Sequence, residues 1–182
     1  MTFFAVLLER GKERARRLWG LSVEVGIVKA DLETERDDLI DFDKQIFPDE
    51  SWIDCLEQEW FQDILEAWWV FVGDVRAGCV VFVRGINVNK AGFSIRNKRY
   101  LWIASTGLLP EFRGRGIGKT LKAWQIAYAR EEGFQKLVTQ CRVSNARMIG
   151  INKRFGFQER RIYPGSYQNP EEDGVVMELK LR

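Results

Sequence analysis

The sequence predicts one α/β domain built around a mixed β-sheet, and three observations carry that prediction. Short runs rich in β-branched and aromatic residues alternate with stretches of helical apolar spacing along the chain. Its 182 residues, 46% hydrophobic and 13% aromatic, suffice for one good core and leave no room for two. No internal repeat or low-complexity segment interrupts the pattern. The expected order is strand, two helices, a meander of three strands, helix, strand, helix and two final strands. A basic extension is expected at 1–20 and a single domain over 21–182.

The N-terminal run MTFFAVLL is apolar but short, and positive charges follow rather than precede it. That is the wrong order for a signal peptide and too short to span a bilayer. No membrane span is expected, and ERGKERARRLWG continues as a basic arm. VEVGIVKA (23–30) reads as a strand. Thr34 is positioned to cap a helix through Phe47, with Leu39, Ile40, Phe42, Ile46 and Phe47 as its apolar stripe, and Pro48 ends it. IFPDESW turns into a Trp-rich helix near 51–64. AWWVFVG (67–73) and AGCVVFVRG (77–85) form a hairpin across Asp-Val-Arg, and NVNKAGFSIRNKR is a polar, basic loop.

YLWIASTGL (100–108) is the next strand and delivers the chain into PEFRGRGIGKTLK, from which a long helix runs to about Glu132 and closes at Gly133. KLVTQCRV (136–143) is a strand. SNARMIGINKRF is a helix, with Met148, Ile151 and Phe155 at helical spacing. GFQERRIY and DGVVMELKLR are the last two strands.

Composition excludes several chemistries. There is no histidine, so Ser-His-Asp and Cys-His catalysis, histidine metal sites and the usual proton shuttle are all absent. No metal site is expected. Cys55, Cys79 and Cys141 are odd in number, widely spaced and without a CxxC pair, which fits a reducing, cytoplasmic setting better than a disulfide framework. Net charge is +2, from 28 Lys and Arg against 26 Asp and Glu. No global positive field argues for nucleic acid, and any anion site must be local.

The glycine-rich loop is the one candidate for such a site. It is not a Walker A loop, because the first glycine that GKT would require falls on Arg113. Nor is it a dinucleotide fingerprint, since GxGxG lies late in the chain with no acidic ribose partner following. What remains is Arg113-x-x-Gly116-x-Gly118 between a strand and a helix N-terminus. Backbone N–H groups of a first helical turn point outward without partners, glycine lets a phosphate approach, and the helix dipole favours its charge. The alternative is an ordinary surface turn entering a helix.

The continuous segment STGLLPEFRGRGIGKTLKAWQIAYAREEGFQKLVTQCRVSNARMIGINKRFGF resembles the GCN5-related N-acetyltransferase (GNAT) superfamily, whose signature is a strand, a proline, the R/QxxGxG/A loop, a long helix, a strand and a helix ending in Gly-Phe. The resemblance implies a mostly antiparallel central sheet of six or seven strands, splayed between the fourth and fifth and flanked by about four helices. It implies acetyl-CoA or coenzyme A as cosubstrate. The pyrophosphate would lie over Gly114, Arg115, Gly116, Ile117, Gly118 and Lys119, and the pantetheine beside Thr106, Gly107 and Leu108. Gly107 is a place where a bulge costs little. Arg113, Arg115 and Lys119 either add charge to the phosphates or are solvated helix-end cations. Asn145 and Asn152, seven apart on one helix face, would look toward the splay, with an N-cap role as the alternative for Asn145.

The chain departs from the family pattern at two points. Asn152 stands where many members carry a proton-donating tyrosine, so it can only hydrogen-bond a departing thiolate. YLWIASTGL lacks the glutamate many relatives use as a base, which leaves a water held by Ser105 or Thr106, or a more distant carboxylate. Cys141, without an activating histidine, reads as a structural thiol. The implied reaction is direct attack of a primary amine, on a small molecule or peptide, upon the thioester in a ternary complex. The alternative is a non-catalytic acyl-CoA-binding or regulatory module. FPDESW and YPGSYQNPEEDG, both acidic, are the expected acceptor side, and a homodimer is compatible with the pattern.

Overall fold

The computed structural model describes residues 24–48, 64–89, 92–95 and 99–181. The basic extension at 1–20 and the Trp-rich helix expected near 51–64, save Ile64, lie outside the described residues, with Cys55, Asp49, Glu50 and Trp52.

Seven strands form one sheet. In chain order they are β1 (Val25–Lys29), β2 (Leu65–Val72), β3 (Val75–Arg84), β6 (Tyr100–Leu108), β7 (Lys136–Arg142), β8 (Gln158–Gln168) and β9 (Glu171–Lys180). They lie side by side as β1-β2-β3-β6-β7-β9-β8, antiparallel throughout except for the parallel pair β6–β7. The expected mostly antiparallel sheet, parting between its fourth and fifth members, is what the chain forms. Three α-helices are described: α1 (Arg36–Ile46), α2 (Ile117–Glu131) and α3 (Ala146–Arg154).

Several local expectations are corrected. Thr34 does not cap α1: its hydroxyl donates to Asp31 Oδ2 within a turn that Asp31 also closes by accepting from the Glu33 N–H, and the helix starts at Arg36. The hairpin turn is Gly73-Asp74, with Gly73 at φ 59, so β2 and β3 are longer than the sequence suggests. The polar stretch expected to be a loop contains a short hairpin of its own, β4 (Ile86–Asn89) with β5 (Gly92–Ile95). The stretch YPGSYQNPEEDG at 163–174, expected on the acceptor side as the loop between the last two strands, is mostly strand, because β8 runs to Gln168 and β9 starts at Glu171.

Two cores result from the alternation of side chains across the sheet. On one face, Ile117, Leu121 and Trp124 of α2 pack with Val80, Phe82, Leu101 and Ile103. On the other, Leu39, Ile40, Phe42 and Ile46 of α1 pack with Trp69, Val81 and Trp102. The apolar stripe predicted for α1 is the face that is buried, with Phe47 half-buried at its end, whereas Met148, Ile151 and Phe155, predicted as the stripe of α3, are only half-buried.

The alternation breaks once on β6, and the break shapes the molecule. Val81 pairs with Ser105 while Phe82 pairs with Ile103, so Ala104 is an extra residue, a β-bulge. Gly107 is not the bulge site. Parallel pairing of β6 with β7 ends at Ile103↔Thr139, immediately before the bulge. A bulge bends its strand and sharpens its twist, which turns β6 away from β7 and leaves a fork. It also shifts parity by one: Ser105, which strict alternation would send with Leu101 and Ile103 toward α2, faces α1 instead.

Gly107 has a different reason to be glycine. A Cβ there would lie 2.6 Å from Ile46 Cγ2 and 2.8 Å from Phe47 Cε2, so the end of α1 rests directly on the strand backbone.

Candidate active site

At the mouth of the fork, the chain leaves β6 through a 3-10 turn (Pro110–Phe112) and enters α2 with Gly114 at φ 83 and Gly116, the N-cap, at φ 85. These left-handed conformations are open to glycine at little cost. A Cβ at Gly114 or Gly118 would meet nothing within 4 Å, so the concave side of the loop is empty space rather than protein packing. The groove in front of it, of about 750 Å³, is walled by the loop, the end of β6 and the α3 residues Ala146, Arg147, Gly150 and Ile151. The first turn of α2 leaves backbone N–H groups without intrahelical acceptors, a seat suited to an anion.

Of the three cations predicted around this seat, Arg113 is exposed and lines the groove, and its Nε donates to the Leu108 carbonyl at 2.8 Å, which lashes the loop to the strand end. Arg115 lies 5.8 Å from the Phe112 ring centroid. Lys119 is exposed and lines the groove.

Deeper in the fork lies a chamber of about 150 Å³. Phe47, Thr106, Asn145 and Met148 line both spaces, so the groove leads into the chamber. Consecutive residues of β6 project to opposite sides here. Ser105 Oγ donates to Asp43 Oδ1 of α1 at 3.0 Å, both groups buried, and Thr106 Oγ1 accepts from Gln125 Nε2 of α2 at 2.7 Å. The Cys79 thiol also leans on Asp43, and burial, then that carboxylate, push its pKa well up, so it stays protonated.

Asn145 is the N-cap of α3, its Oδ1 accepting from the Met148 N–H at 3.0 Å, and it lines the chamber as well. Asn152 is fully buried. Its Nδ2 donates to Met177 Sδ at 3.6 Å and its Oδ1 has no partner; it lines neither the groove nor the chamber.

Three polar groups at this site went unnoticed in the sequence: Asp43, Lys122 and Gln125, all buried. A signal did exist. Each occupies a position within a helical apolar stripe, Asp43 among Leu39, Ile40 and Ile46, and Lys122 and Gln125 among Leu121, Trp124 and Tyr128. Lys122 lines the chamber, its Nζ 5.1 Å from the Phe157 ring centroid. Burial lowers its pKa to about 7, with only a partial opposing effect from Cys141. Burial in turn raises the Cys141 thiol to about 11, opposed in part by Lys122.

The far wall of the chamber is Tyr167, held by Arg142, whose guanidinium lies 4.6 Å from its ring centroid and donates to the carbonyls of Asn169 and Pro170. Glu172 accepts from the Ser144 N–H at 2.6 Å, from Ser144 Oγ and from Arg142; the backbone bond is the largest cause of its lowered pKa. Asp173 accepts from the Gly165 N–H. Of the acidic groups on the expected acceptor side, Asp49, Glu50, Glu171, Glu172 and Asp173, two therefore brace the β8–β9 corner, Glu172 and Asp173.

Residues 32–157 match the model of the acetyltransferase (GNAT) family. Over 75 residues, 41% of this chain and 50% of the relative, the sequence is 32% identical to a Bacillus subtilis (strain 168) protein whose name provisionally makes it a [ribosomal protein bS18]-alanine N-acetyltransferase. Over 56 residues, 31% of this chain and 25% of the relative, it is 39% identical to an uncharacterised N-acetyltransferase of Methanocaldococcus jannaschii. These matches thus span half and a quarter of those proteins. Among solved structures, the ribosomal-protein-S18-alanine N-acetyltransferase of Escherichia coli superposes with a TM-score of 0.68 at 17% identity, over 86% of this chain and 94% of that one. A Bacillus subtilis acetyltransferase in complex with CoA gives 0.66 at 18%, over 87% and 100%. At such identities the likeness is one of fold.

Proposed function

Because the chain belongs to the acetyltransferase (GNAT) family, we propose that it is an acetyl-CoA-dependent N-acetyltransferase acting on a primary amine, on a small molecule or a peptide, within one domain over 21–182. The observation that carries this reading is the continuity of two spaces: a glycine-walled seat at the N-terminus of α2, and the chamber in the fork to which it leads. The seat suits the pyrophosphate. Beyond the bulge, the facing edges of β6 and β7 are not paired with one another, so backbone groups of residues 104–108 can bond the pantetheine as an added strand would.

The thioester then lies where the groove meets the chamber, and the amine arrives from the Phe47 and Tyr167 side. Ser105 takes the proton from the attacking amine, directly or through a water, as it passes its own hydroxyl proton to Asp43, and Asp43 is the more distant carboxylate that the sequence left unnamed. Backbone N–H groups on the β6 edge stabilise the developing oxyanion. Thr106, fixed by Gln125, orients the acyl group. Asn152, expected to reach the cosubstrate, has no part in this proposal: it is fully buried, lines neither space, and its Nδ2 is turned to Met177.

Thermal unfolding followed with acetyl-CoA, CoA, ATP and NAD, together with thiol release over a panel of primary amines, tests this. Acetyl-CoA and CoA raise the melting temperature by mass action and the others do not. Equal stabilisation by ATP and CoA removes the assignment of the seat; stabilisation without thiol release on any amine leaves a binding module.

A further inference from the structure

Lys122 stands on α2 one turn beyond the glycine seat, and its side chain runs inward to the chamber rather than outward to water. It is 2% exposed. Its surroundings are the Phe157 ring and the Cys141 thiol, and among the described residues it joins no ion pair. A buried ammonium without a counter-ion is costly, and the group answers by giving up its proton. With a pKa of about 7, Lys122 is a free amine in about half of the molecules at neutral pH. An exposed lysine is so in only about one molecule in 2,500. A free amine facing the space where the fork opens is a nucleophile in waiting.

We propose that Lys122 is itself an acyl acceptor: with an acyl-CoA in the groove, its amine attacks the thioester carbonyl and the protein acylates itself inside the fork. This rests on the acyl-CoA reading given above. In the step, the Nζ–C bond forms and the C–S bond breaks. One amine proton stays on the new amide, and the other ends on the departing thiolate, which leaves as CoA thiol. Nothing is oxidised or reduced. The chamber, about 150 Å³, has room for the acetyl group. The product amide is neutral at every pH, so acylation relieves the folded state of the cost of a buried ammonium.

The test incubates purified protein with acetyl-CoA and no added amine, follows intact mass, and maps the adduct by peptide mass spectrometry. The expected result is a single acetyl adduct on Lys122, at an occupancy at least tenfold above the mean of the other lysines. That preference disappears when the protein is unfolded in urea before labelling. Lys122→Arg and Lys122→Met, the one keeping the cation and the other the apolar bulk, lose this adduct but are still stabilised by acetyl-CoA. If acetyl-CoA stabilises the wild-type protein and no adduct forms, or label is spread over surface lysines, self-acylation is overturned while the acyl-CoA reading stands. If acetyl-CoA neither stabilises nor labels the protein, both fall. Mapping of the wild-type adduct decides the question even should a variant fail to fold.

Discussion

Ser105 Oγ lies 3.0 Å from Asp43 Oδ1, a bond between residues 62 apart in the chain, with both groups buried and the serine on the wall of the chamber. If the pair acts as one base, Asp43→Asn and Ser105→Ala should each lower kcat by about 100-fold, within the range of a lost general base, with little change in the acetyl-CoA KM. The double variant should be no slower than the slower single one, because parts of one unit are not additive. Independent, multiplying losses would separate the two residues.

Gly118 gives a clean probe of the seat. Its φ is not in the left-handed region and a Cβ there meets nothing, so Gly118→Asp brings no strain, and a carboxylate in the first turn of α2 favours the helix. The variant should melt at or slightly above the wild-type temperature yet lose stabilisation by acetyl-CoA, since its charge occupies the place of the phosphates. Gly116→Asp would be less informative, because φ 85 penalises any side chain there. Undiminished stabilisation by acetyl-CoA in Gly118→Asp would move the phosphates elsewhere.

At Gly107, a methyl group meets Ile46 and Phe47 well inside van der Waals contact. Gly107→Ala should cost about 1–3 kcal/mol by overpacking, measured by denaturant unfolding. Ile46→Ala in the same chain should recover part of it, so that the two changes together cost less than their sum. Strict additivity would mean that α1 does not rest on this strand.

Lys122 should write its burial into the pH dependence of stability. Its folded pKa of about 7 lies below the unfolded value of about 10.4, so between these limits the unfolded chain binds more protons and stability rises with pH. The slope reaches about 1.4 kcal/mol per pH unit, falls to about half of that near pH 7 and vanishes about a unit lower, where both states are protonated and the full penalty applies. Lys122→Met should lack this rise and gain most over wild type at and below pH 7. Parallel stability curves for the two proteins from pH 6 to 10 would show that the ammonium is solvated.

What the sequence determined by itself is what local chemistry decides. The glycines at 114, 116 and 118, the strand at 100–108, the closure of α2 at Gly133 and the buried stripe of α1 all follow from backbone freedom and apolar period, and each is found in place. Pairing across the sheet decided the rest. Ala104 is an unremarkable residue in an apolar run; only its register against β3 makes it the bulge that opens the fork and turns Ser105 toward α1. The acidic stretch at 171–173 reads as a solvated turn until β8 and β9 pair and Ser144, Arg142 and Gly165 take up two of its carboxylates. A lysine inside an apolar stripe stands equally for a helix edge or a buried amine in one dimension. Only the packing of α2 between Phe157 and Cys141 removes its water, and with it the proton that an exposed lysine would keep.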